Sequence, residues 1–146
     1  MVNNKCDITA IQQQNSNRVT IINGIWGTVS LKQGDCMPTT NKTPTCSACP
    51  TEREIRIYNY TTIQDIEPAA GNPSLAKSFK TQLVKTVIAD DQGFYQADIP
   101  SGKYSVVIVE DGNLYFNVLD DQGGISPVTF SQGKVNLDLV VDHAAY

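Results

Sequence analysis

From Val135 to Val141, apolar residues at every second position alternate with Asn136, Asp138 and, one step beyond, Asp142. That period of two predicts a strand with one buried face. Arg53 to Tyr60 repeats the pattern, with Ile55, Ile57 and Asn59 on one face and Arg56, Tyr58 and Tyr60 on the other. A β-branched and aromatic stretch from Arg18 to Leu31 predicts a first strand, interrupted by a bulge at Gly24 and Gly27 and placing Trp26 in the core. Leu83–Ala89, Leu114–Leu119 and Val128–Phe130 read as further strands. Asp90-Asp91-Gln92-Gly93-Phe94-Tyr95, then Ile99-Pro100-Ser101-Gly102-Lys103-Tyr104, reads as turn, strand, turn, strand. Its turn residues predict a β-hairpin whose second strand runs from Tyr104 to Val109.

Two long connections interrupt these strands. Lys32 to Glu52 is loop-like, rich in Thr and Pro, and holds three of the four cysteines. Thr61 to Phe79 is punctuated by Pro68, Gly71 and Pro73, with a short helical turn expected over Ser74–Phe79 and Ser74 as its cap. Residues 1–17, rich in Asn and Gln, read as a flexible tether, and 18–146 as one domain. With about seven strands, no long helix and no internal repeat, the expected fold class is an all-β sandwich.

Composition narrows the functional classes. The 146 residues suit a single core. A net charge of −4, with 11 Lys and Arg and no basic run, argues against nucleic acid as a partner. No apolar run approaches the ~20 residues that span a bilayer. Met1-Val2-Asn3-Asn4-Lys5 carries no apolar signal-peptide core. Either the protein is cytosolic, or an export segment has been removed and Met1 is an added start residue. The cysteines bear on that choice. Cys36, Cys46 and Cys49 are disulfide candidates, with Cys6 apart, and four cysteines in a small β-rich chain favour an oxidising compartment. Reduced thiols and a zinc site completed by Cys6 or His143 are the alternatives. The C-x-x-C spacing of Cys46 and Cys49 is followed by Pro50 and no helix signal, which weakens a thioredoxin-like reading.

Asp90, Gly93 and Phe94, followed by Ile99, Pro100, Gly102 and Tyr104, resemble the signature of carboxypeptidase regulatory-like domains, the transthyretin-like (prealbumin-like) Greek-key sandwiches. Gly24–Val29 and Ile55–Tyr58 resemble that family's first two strands. Gly34-Asp35-Cys36-Met37-Pro38, Gly102–Ser105, Gly123–Val128 and a final Ala145-Tyr146 are similar to segments of small exported envelope proteins of Bacteroidetes-type bacteria. The resemblance implies export to the periplasm or outer membrane, with a membrane link only through an N-terminal lipid anchor lying outside this sequence. It implies no substrate.

Candidate chemistry is sparse. His143 is the only histidine, and no G-x-S-x-G occurs, so serine catalysis lacks its usual parts. Transthyretin-like hydrolases of 5-hydroxyisourate use several histidines, which this chain lacks. Asp90-Asp91, Glu110-Asp111 and Asp120-Asp121 each adjoin a glycine and read as solvated turns, with Ca²⁺ binding at one end of the sandwich as the alternative. Pilin-type sandwiches resembling this fold join Lys to Asn beside an acid, and Lys32, Asn136 and Glu110 are the candidates against the simpler reading of three exposed polar residues. Tyr58 and Tyr60 on one strand, with Tyr115 and Phe116 on another, fit ordinary half-buried strand residues or a face that stacks on sugar rings. The expectation is a non-enzymatic exported structural or interaction module without a cofactor, its partner an envelope protein or glycan. A carbohydrate- or peptide-binding module and, lower, a hydrolase on the same fold are the alternatives.

Overall fold

The computed structural model describes residues 6–36 and 46–144. Residues 1–5 of the tether, residues 37–45 of the first long loop (including Met37 and Pro38 of the resemblance segment), and the final Ala145 and Tyr146 lie outside the described residues.

Strand β1 (Gly24–Gln33) organises the first sheet, because its ten residues take two neighbours on each edge. Along one edge it pairs antiparallel with β7 (Phe94–Asp98) and then with β2 (Ser47–Pro50). Along the other it pairs parallel with β11 (Lys134–Asn136) and then β12 (Leu139–Asp142). Between β11 and β12 the ladder would leave the Thr28 N–H without an acceptor, and the Asp138 carboxylate supplies one at 2.9 Å. The predicted single strand over 135–142 is therefore two strands separated by Leu137 and Asp138. β1 starts at Gly24, six residues after the expected Arg18, and runs unbroken through Gly27, where a bulge was expected.

The second sheet is antiparallel throughout. Its order is β4 (Ile66–Pro68), β5 (Leu75–Phe79), β9 (Asn113–Tyr115), β8 (Gly102–Glu110), β3 (Glu54–Asn59) and β6 (Leu83–Ile88), with β10 (Pro127–Phe130) beside the start of β8. The described residues hold twelve strands, against about seven expected. The excess is mostly short strands inside the long connections, where three to five residues cannot display a period. Two expectations fall with them. Ser74–Phe79 is not a helical turn but contains β5, and Ser47–Pro50 is a strand and not loop.

The predicted hairpin is also corrected. β7 pairs with β1 in the first sheet, whereas β6 and β8, on either side of it in sequence, lie in the second. The Gly93 and Pro100 turns therefore carry the chain across the sandwich and back. Turn chemistry identifies where a strand ends, and says nothing about which strand it will pair with.

One hydrophobic core lies between the sheets, built from alternate residues such as Ile25, Val29, Ile55, Ile57, Val106 and Val141. A second cluster covers the outer face of the second sheet, where Tyr58, Phe79 and Val107 pack under Phe116 and Ile125. β8 is thus buried on both faces, which explains its continuous apolar run Val106–Val109 in place of alternation. Trp26, expected in the core, is only half-buried.

The tether reading is corrected for residues 6–17. Ile8–Ser16 form a helix, α1, capped by the Asp7 side chain on the Ala10 N–H at 3.1 Å. The helix docks on the first sheet through Asn15, which is fully buried. The chain also carries a short internal repeat, where none was expected. Asp-Asp-Gln-Gly occurs at 90–93 and again at 120–123 and builds the same turn twice. In each, the first Asp accepts the N–H groups two and four residues ahead on Oδ1. In each, its own N–H reaches the carbonyl four residues on, and the turn glycine donates back to its carbonyl.

Candidate functional site

All four cysteines are cross-linked, Cys36 to Cys46 and Cys6 to Cys49. The three candidates within the loop are disulfide-bonded as expected, but Cys49 takes the distant Cys6 as its partner. Cys46 and Cys49 do not bond each other: an extended chain separates Cα atoms three residues apart by roughly 10 Å, beyond disulfide reach. With no thiol left, the zinc alternative is gone. Among the described residues no three His, Cys, Asp or Glu side chains converge to hold a metal ion.

The aromatic candidates do not form an exposed face. Tyr58 is 6 % exposed and lies 4.6 Å, centroid to centroid, from Phe79. Tyr115 and Phe116 are buried on opposite sides of the second sheet, Tyr115 in the inter-sheet core and Phe116 in the outer cluster. Only Tyr60 reaches solvent in part. Its hydroxyl donates to Asp120 at 2.7 Å, and Lys103 Nζ stands 3.9 Å from its ring centroid. A cation thus covers one face of that ring.

The other candidates separate as well. β1 places Lys32 opposite Asp142 and Trp26 opposite Asn136. Six residues of strand, roughly 20 Å, therefore lie between Lys32 and Asn136, and no isopeptide bond can join them. The acidic turns do not all share one end either: Asp90 and Glu110 lie toward Arg53, and Asp120 does not. Ala89, beside Asp90, bonds to Arg53 before β3, while Asp120 meets Tyr60 after it.

Electrostatics of the two Asp-Asp-Gln-Gly turns follow from their bonds. Partial burial opposes ionisation of Asp90, but Arg18 and the Gln92 and Phe94 N–H groups outweigh it and hold the carboxyl below its ordinary value. Asp120 is held low by the Tyr60 hydroxyl first, then by the Gly124 N–H. A folded-state pKa below the unfolded one, near 3.8, contributes stability that is complete above that value. It is lost as pH falls through the lower, folded value. Stability should therefore stay level from pH 7 to about pH 5 and decline below about pH 4. The Asp90→Asn/Asp120→Asn variant should show a shallower decline in acid denaturation. An unchanged slope would assign acid sensitivity to other carboxylates.

Among the described residues, two concavities follow β12. The first is an apolar crevice of about 280 Å³ in the seam between the sheets. β10 reaches only to Ser105 along β8, and β9 begins only at Ile108, so no strand covers Val106 and Val107 on that edge. The Ser126 carbonyl accepts the Val106 N–H there instead. Val106 and Ile108 form the floor, Leu137 and Leu139 a wall, and Val118 and Val140 stand at 54 % and 39 % exposure on opposite sides.

The second concavity is a polar cleft of about 350 Å³ near the end of β12. His143 Nε2 lies 2.7 Å from Glu110 Oε2, and Glu110 Oε1 accepts from Arg53 Nε at 3.3 Å. Ser74 lines the same cleft, a convergence that a separation of 69 positions conceals in the sequence. No hydrogen bond joins Ser74 to His143 among the described residues, so the nucleophile–base contact of serine catalysis is not formed. Tyr115 separates the two concavities, and its hydroxyl accepts the Asp142 N–H at 3.0 Å.

Comparison with protein-family models, curated proteins and solved structures gave no match to this chain.

Proposed function

We propose that this protein is a non-enzymatic, exported interaction module of the bacterial cell envelope, on a transthyretin-like Greek-key sandwich, and that it binds a polypeptide at the seam. The apolar crevice carries this reading. It is a concave apolar site beside exposed Val118 and Val140, sized for one or two inserted side chains. A polypeptide is favoured over a glycan because Tyr58, Tyr115 and Phe116 are committed to packing. Two disulfides fit an oxidising extracellular environment, in keeping with export. Among the described residues no helix is long and apolar enough to cross a membrane. Within the family resemblance, the Tyr104 hydroxyl donates to the Pro100 carbonyl at 2.6 Å, giving the Pro-x-Gly-x-Tyr pattern a structural use.

A photoreactive amino acid placed at Val118 or Val140, in cells exporting the protein, tests the reading. Controls go at Ile22 and Ile88, which are 81 % and 72 % exposed elsewhere on the surface. A discrete protein adduct is expected from the first two positions only. Equal labelling at all four sites, or none at any, would sink the proposal.

A further inference from the structure

α1 is held to the sandwich chiefly by polar and covalent contacts, and that sets it apart from the strands beneath it. Nine residues are too few for a stable isolated helix, since those shorter than about 12 are marginal in water. Ile8 and Ile11 are half-buried, and Asn15 alone is fully buried. One end carries a polar latch. Asn15 Nδ2 donates to Thr28 Oγ1 at 2.8 Å and to the Gln92 carbonyl at 3.0 Å. Just beyond the helix, Arg18 reaches Asn15 Oδ1 and pairs with Asp90 at 2.5 Å, its guanidinium 4.4 Å from the Phe94 ring centroid. The other end carries the covalent clamp, where Cys6 bonds to Cys49 on β2 with Cα atoms 5.2 Å apart. Cys6 is exposed, whereas Cys36, Cys46 and Cys49 are half-buried.

We infer that α1 is a strap whose docking is set by the redox state of Cys6–Cys49. A dithiol reductant attacks the exposed Cys6 sulfur through one thiolate, breaking the Cys6–Cys49 bond and forming a mixed disulfide on Cys6. Cys49 leaves as a thiolate and takes up a proton. The reductant's second thiolate then displaces Cys6, which is also protonated. Two electrons and two protons have passed to the cysteines, and the reductant is left as its own disulfide. With the clamp open, the Asn15–Arg18 latch, the Asp7 cap and the half-buried Ile8 and Ile11 are left to oppose melting of the helix. Docked, the helix spans about 14 Å. Extended, residues 6–17 reach about 40 Å, so the bond sets how far the chain before Cys6 can stand from the sandwich. Melting also uncovers Thr28 and the Phe94 ring.

Amide hydrogen exchange on the full chain tests this. The Cys6→Ser/Cys49→Ser variant keeps Cys36–Cys46. In it, the α1 amides should exchange about tenfold faster or more than in the oxidised protein, with β3 and β8 protection unchanged. Equal α1 protection in both proteins would overturn the strap. So would parallel loss of protection in β3 and β8, which would make the bond a staple of the whole domain. Should the variant not fold, stepwise reduction of the natural protein gives the same readout. Cys6 and Cys49 should become alkylatable before Cys36 and Cys46, with α1 protection falling in step. Their alkylation without loss of α1 protection would refute the inference.

Discussion

Replacing Gly93 by alanine should lower stability by about 3 kcal/mol, seen as a lower denaturation midpoint at unchanged denaturant slope. Two costs combine. Gly93 sits at φ +73°, where a side chain is strained by about 1–2 kcal/mol. A Cβ there would also run into the Val29 carbonyl oxygen, which accepts the Thr51 N–H. Val29 in turn donates its N–H to the Gly93 carbonyl at 2.8 Å, so the turn and β1 would have to separate together. Gly112 is the control. Its φ is +82°, but a Cβ there meets nothing within 4 Å, and Gly112→Ala should cost only about 1–2 kcal/mol. Equal losses at the two positions would show that the contact with β1 contributes nothing.

Tyr58→Ala and Tyr115→Ala should each cost about 3–5 kcal/mol, the range for a buried aromatic cut back to alanine. Tyr58 leaves a hole beside Phe79 in the outer cluster. Tyr115 leaves one in the inter-sheet core and removes the acceptor of the Asp142 N–H. Tyr60→Ala should cost less than about 1 kcal/mol, because its ring is partly in solvent and its bonds are at the surface. Chemical denaturation of the three variants separates the readings. A stability-neutral Tyr58→Ala would restore an exposed aromatic face and reopen the glycan alternative.

Much of the strand content was legible because alternation, and apolar runs bounded by turn residues, are local signals. β3, β6, β8 and β10 fall within a residue or two of their expected ends. The short strands β2, β4 and β5 were not legible, since each exists through its neighbour and not through its own pattern, while β9 takes up only the start of the strand expected over Leu114–Leu119. Tyr58 shows the same limit. Alternation correctly put it on the opposite face from Ile57, and solvent was the natural assignment for that face. The connection over 116–126 folds across it and makes it core. Val106 and Ile108 form the floor of the candidate site, yet their apolar run predicts only burial. The crevice beside Val106 arises because two other strands stop short of that edge.

Sequence alone determined what closes within about five residues. The two Asp-Asp-Gln-Gly turns and the Tyr104–Pro100 contact each join groups at most four positions apart, so the local chain suffices to form them. Tertiary structure decided the pairing of distant groups: β7 with β1 and not β8, Cys49 with Cys6, Asn15 with the Gln92 carbonyl 77 residues away, and Thr28 with Asp138 at 110. Closing such loops costs conformational entropy that no single contact offsets. They form together, when burial between the sheets makes their partners adjacent, and the seam crevice and the helical strap are products of that shared step.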